Sequence, residues 1–127
     1  MATATRVQGM NPALTLAAAR ILLGTVALAA PTEAAKLFRL DAAANPQLPY
    51  LTRLFGGREI ALGAATLLAR GPAQRQLVAA GVAVDAADAF SAFLAGRDRS
   101  VGRATAALLA APAVMSAASG VSGIRQL

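Results

Sequence analysis

Arg58 and Glu59 stand side by side inside an apolar run that covers roughly residues 50–69. A later run, 73–95, carries Asp85 and Asp88, and the first one, 13–30, carries Arg20. As helices, runs of this length reach about 30 Å, the thickness of a bilayer's hydrocarbon core. A charge at that depth is costly, so it must meet an opposite charge, a polar group or water. This one feature restricts the fold. The helices have to be placed so that their charges meet inside.

Composition agrees with a membrane solvent. The 127 residues are 57% hydrophobic and 14% charged, with a mean hydropathy of +0.56. An average soluble domain is about 25% charged. Much of the apolar content is alanine, which a soluble alanine-rich helical bundle would also use. The length suffices for one domain. Cysteine and histidine are absent. That removes disulfides, thiolate sites, the commonest general base and the commonest metal ligand. The net charge of +6 comes from basic residues placed singly at the ends of apolar runs. Such residues suit membrane orientation and anionic headgroups, and nucleic acid is not an expected partner.

In chain order, residues 1–11 read as a terminal arm, and Asn11 and Pro12 suit a helix N-cap and first turn. A rival reading takes the first run as a secretory signal, with Arg6 as its charged flank and Ala27-Leu28-Ala29 as a cleavage site. Arg20 within the run argues against it. Pro31 ends the run. The next segment sets Ala34, Leu37 and Phe38 on one face. It fits either a short interfacial helix or an ordinary connecting helix. Asn45-Pro46 and Pro49 mark a loop, and Arg70-Gly71-Pro72 a turn. Gly96 is expected to cap the third run and Ser100 the fourth, 101–118. Pro112 should kink that last helix, because it cannot bond to the Leu108 carbonyl. Residues 119–127, with Gly120 and Gly123, read as a mobile tail.

The expected architecture is therefore all-α: an integral membrane four-helix bundle with a short interfacial helix after the first span. Lys36, Arg39, Arg53, Arg97, Arg99 and Arg103 gather on the face of the first and third loops. Arg6, Arg70, Arg75 and Arg125 lie on the terminal face. The positive-inside rule then puts both termini of this multi-pass cell-membrane protein outside the cytoplasm.

Helix rise places Arg20, Arg58, Glu59, Asp85 and Asp88 about 9–15 Å below one face, in a common layer. Arg103 is expected nearer the surface, balancing the count. Asp85 and Asp88 share a helical face with Gly81 and Ala92, and Arg58 is expected to pair with one of the two aspartates. Gly57, Ala61 and Ala65 form a small-residue seam suited to close helix packing. The layer has three readings: a structural ion-pair network, a proton or cation relay, or the polar end of a ligand cavity. No catalytic motif is present. Gly56-Gly57-Arg58 lacks the spacing of a phosphate loop, and no serine has a histidine partner.

The stretch Arg53-Leu54-Phe55-Gly56-Gly57-Arg58-Glu59-Ile60-Ala61-Leu62-Gly63, with Pro31-Thr32-Glu33-Ala34-Ala35 and Asp85-Ala86-Ala87-Asp88, resembles a family of small four-helix membrane proteins of unknown function. More distantly it looks like DoxX-type membrane proteins, some of which are subunits of oxidoreductase complexes. The resemblance implies an architecture and no activity. The expectation is a non-enzymatic membrane protein, without metal or cofactor, in the lipid bilayer. It would act as an accessory subunit for a membrane-protein partner or associate with copies of itself. The alternative is a small transporter or ligand-binding protein that uses the charged layer.

Overall fold

The computed structural model describes residues 9–127, so Arg6 and most of the expected arm lie outside the described residues. Among the described residues there are five helices and no strand: α1 Pro12–Ala29, α2 Pro31–Leu37, α3 Leu48–Leu68, α4 Gly71–Arg97 and α5 Arg103–Ile124. Three of them, α1, α4 and α5, are long and apolar enough to cross a membrane. Helix α3 matches them in length but carries Arg53, Arg58 and Glu59.

Local chemistry sets the helix ends. The Asn11 side chain accepts a bond from the Ala13 amide at 2.8 Å, and Pro12 occupies the first turn. Gly71 opens α4 with φ +58°, a conformation that a Cβ would strain. Ser100 does not cap α5. Its hydroxyl donates to the Ala95 carbonyl at 3.2 Å and closes the end of α4. The chain reverses at Arg99, φ 59°, which delays the start of α5 until after Gly102. In α2, Ala34 and Ala35 are buried, whereas Leu37 points outward.

Residues 119–127 are not a loose tail. Helix α5 continues through Pro112 to Ile124. Gly120 lies against Val82 and Gly123 against Ala13 and Asn11, so these glycines allow close approach to α4 and α1. The Asn11 amide donates to the Gly123 carbonyl at 3.0 Å, and Arg75 donates to the carbonyls of Ile124 at 3.1 Å and Leu127 at 2.7 Å.

The long helices form two close pairs, α1 with α3 and α4 with α5. Smaller contacts join α1 to α5 and α3 to α4, and α2 rests on α1 and α3. Glycines set the α1–α3 distance. A methyl added to Gly24 would lie 2.5 Å from the Gly56 carbonyl oxygen, and one on Gly56 would lie 2.7 Å from that of Gly24. Gly63 sits just as tightly over the Ala17 carbonyl.

The crossing within the chain therefore does not use the small-residue stripe that spacing picks out. Gly57 has open space at its missing Cβ, and Ala61 is exposed. The buried face of α3 is Gly56, Glu59, Gly63 and Thr66. At about 100° per residue, the 57–61–65 row points to the opposite side. A four-residue spacing identifies a stripe of small residues but not its azimuth.

Around the middle of the long helices, polarity runs opposite to that of a soluble domain. The buried apolar residues are alanines such as Ala17, Ala27 and Ala92, together with Val78. Arg20, Glu59, Thr66, Asp85 and Thr105 are buried with them. Leu22 at 72%, Leu68 at 81%, Met115 at 69% and both Phe90 and Phe93 at 61% exposure lie on the outside.

The glycine contacts predict a contrast within α3. Gly56→Ala should force the α1 backbone away and cost about 1–3 kcal/mol. Gly57→Ala should be neutral or stabilising by up to about 1 kcal/mol, through helix propensity. Thermal unfolding in detergent separates them. Equal midpoints for the two variants would contradict the crossing described here.

Candidate functional site

The interior charges form one connected group. Arg20 is 6% exposed, and Glu59 and Asp85 are 3% exposed. Arg20 Nη1 donates to Glu59 Oε2 and to Asp85 Oδ1, both at 3.0 Å. Its Nη2 donates to Asp85 Oδ2 at 2.5 Å and to the Gly81 carbonyl at 3.5 Å. The planar guanidinium is suited to this fork-to-fork geometry.

Each of these charges sits between small residues on its own helix. Arg20 lies between Ala17 and Gly24 on the buried face of α1. Glu59 lies between Gly56 and Gly63 on α3, and Asp85 between Gly81 and Ala92 on α4. Gly81 gives the arginine its room, because a Cβ there would stand 3.1 Å from Arg20 Nη2.

Arg58 pairs with Asp88, not with Asp85. Its Nη1 and Nη2 donate to the two Asp88 oxygens at 3.2 and 2.5 Å. This second pair is about one-third exposed, with side chains at 38% and 33%. The guanidinium carbon also stands 5.2 Å from the Phe55 ring centroid, a cation–π distance. Arg58 Nη2 lies 3.6 Å from Glu59 Oε1, close enough for attraction but too far for a hydrogen bond. Glu59 Oε1 and Arg58 Nε are the buried side-chain polar atoms left without a hydrogen-bond partner among the described residues.

Arg103 does not belong to this group. It is the exposed first residue of α5 and forms no ion pair among the described residues. Start-of-helix position explains this, since its side chain has solvent within reach. The layer therefore holds two guanidiniums against three carboxylates, one negative charge in excess.

The layer forms part of the wall of a cavity of about 430 Å³, a volume within the range of small-molecule sites. All five helices line it. Arg20, Arg58, Glu59, Asp85 and Asp88 supply its charges. Its apolar walls include Leu23, Ala27, Phe55, Ala92, Leu109 and Ala113. Ala34, Ala35 and Phe38 line it from α2 and the turn that follows. Thr52, Ser91 and Ser116 add hydroxyls. Apart from the charges, these wall residues do not stand out by type in the sequence, because an alanine lining a cavity looks like an alanine in a seam. Among the described residues, no group of three or more acidic side chains is arranged to hold a metal ion.

Burial predicts different strengths for the two pairs. Arg20→Met should leave Glu59 and Asp85 uncompensated and cost about 3–5 kcal/mol. Adding Asp85→Asn should recover part of that loss. The same cycle on Arg58 and Asp88 should show a smaller coupling, because water screens that pair. Unfolding by sodium dodecyl sulfate titration reads both cycles. A larger coupling for Arg58–Asp88 would overturn the assignment of Arg20 as the central cation.

No protein-family model, curated protein or solved structure matches this chain.

Proposed function

We propose that the chain is a membrane-embedded four-helix protein whose cavity binds a small amphiphile, with its polar end at the charge layer. The inverted polarity supports the membrane setting, since exposed leucines and phenylalanines suit lipid better than water. Three helices have the necessary length and apolarity. Helix α3 completes the set in this reading, because Glu59 is held by Arg20 and Arg58 by Asp88. Arg53, near the start of α3, donates to the Leu28 carbonyl at 3.4 Å and can reach the interface along its stem. The exposed basic residues around α2, the start of α3 and the α4–α5 turn favour a cytoplasmic location for that end. The resemblance to small four-helix membrane proteins implies the same architecture.

The observation that carries the binding reading is the cavity itself. It reaches buried charges while most of its wall is apolar. A network that served only to fix helix positions would not need that space beside it. No reacting group is assigned, and the function is binding, not catalysis.

A second reading has its own observation. The stripe Gly57, Ala61 and Ala65 faces outward, and Ala61 is exposed. Such a stripe suits another transmembrane helix, from a partner protein or a second copy. Ala61→Leu would then leave monomer stability unchanged but disrupt a complex.

The sequence has no tryptophan, so Phe55→Trp places a single, selectively excitable tryptophan on the cavity wall. Brominated single-chain amphiphiles should quench it saturably. Adding Ser116→Phe, which adds bulk to the part of the wall contributed by α5, should abolish the saturable component. Unsaturable quenching that ignores Ser116→Phe would mean the fluorophore only samples surrounding lipid, and the binding reading would fail.

A further inference from the structure

We propose that the cavity selects amphiphiles whose headgroup is a primary ammonium, drawn by the layer's excess negative charge and by the Glu59 oxygen that lacks a hydrogen-bond donor. This rests on the reading of the cavity as a binding site and names the chemistry of what it takes.

The charge count comes first. Arg20 contacts Asp85 and Glu59, and Arg58 contacts Asp88 and approaches Glu59. Two cations are shared among three anions, and all five groups line the cavity. From α5, Leu109, Pro112, Ala113 and Ser116 line it, so no further cation comes from that helix. At the buried end of the layer, around Arg20, Glu59 and Asp85, an uncompensated charge weighs more than at the surface and favours a ligand of opposite sign.

The hydrogen-bond count points the same way. Glu59 has 5% side-chain exposure, and its Oε1 accepts no hydrogen bond. A buried carboxylate oxygen without a donor is an unmet acceptor. A primary ammonium brings three donors and one positive charge. The other unpartnered atom, Arg58 Nε, is a donor. It does not argue for an anion, because that guanidinium already holds Asp88 through two bonds.

The apolar walls select the rest of the molecule. Leu23, Phe55, Leu109 and Ala113 offer no polar side-chain group to an alkyl chain. The whole protein carries a net charge of +6, so non-specific attraction would favour an anionic amphiphile. A preference for the amine would oppose the global field and report on the local site.

The test compares dodecylamine, dodecanol and dodecanoate on the full chain in a neutral maltoside detergent at neutral pH. Saturable binding is followed through the thermal unfolding midpoint. Dodecylamine should bind at least about tenfold more tightly than dodecanoate, and more tightly than dodecanol. Glu59→Gln should remove the advantage of the amine over dodecanol while leaving dodecanol binding in place. The wild-type series stands on its own if that variant does not fold. Equal binding of all three compounds would overturn the ammonium assignment and keep the cavity as a binding site. Tighter binding of dodecanoate would overturn it as well. Failure of all three to bind saturably would overturn the binding reading itself.

Discussion

One guanidinium joins three helices. Arg20, on α1, bonds to Glu59 on α3 and to Asp85 and the Gly81 carbonyl on α4. A cation in an alanine- and glycine-lined interior is tolerable only when its donors meet acceptors, and both Nη nitrogens do. The arrangement is directional in a way that packing is not. Alanine faces can slide past one another at little cost, but a two-pronged bond to Asp85 admits one register. Arg20 therefore fixes how α1 and α3, already a close pair, stand relative to α4.

Close packing and open space follow from the same distribution of small residues. Gly24 and Gly56 bring the α1 and α3 backbones into contact, and Gly120 seats Val82 at the α4–α5 contact. Between α3 and α5 no comparable seam exists, and both helices line the cavity there. The charges stand where the tight part of the interior meets the open part. Arg20 is the more deeply buried of the two cations, while the Arg58–Asp88 pair is about one-third exposed.

Much of the helical layout can be read from local chemistry. Asn11-Pro12, Pro31, Asn45-Pro46 and Gly71-Pro72 punctuate the chain near where its helices start and stop. The depth of the charges is also legible, because helix rise is fixed and Arg20, Arg58, Glu59, Asp85 and Asp88 do gather. What rise cannot give is azimuth. Arg20 and Arg58 have similar depth, yet only Arg20 lies on the side of its helix that meets Asp85. The same ambiguity hides that Gly56 and Gly63, not Gly57, Ala61 and Ala65, make the crossing within the chain. A signal for the right face was present. Ala17, Arg20 and Gly24 repeat the spacing of Gly56, Glu59 and Gly63, a charge between two small residues at positions three before and four after. Gly120 and Gly123 were opaque for another reason. A glycine at the end of a chain reads as looseness until the neighbouring helix is known to need its surface.

The alanine interior has a thermodynamic consequence. Water-exposed apolar surface is the main source of the heat-capacity increase when a protein unfolds. In the membrane setting proposed above, separating α1 from α3 would exchange alanine and glycine contacts for lipid, with little new surface meeting water. The heat-capacity change should be small, and stability should fall almost linearly with temperature instead of following a dome. Such a protein would lack a cold-denaturation limb. Its resistance to heat would be set by the enthalpy of a few bonds to Arg20 and of close glycine crossings.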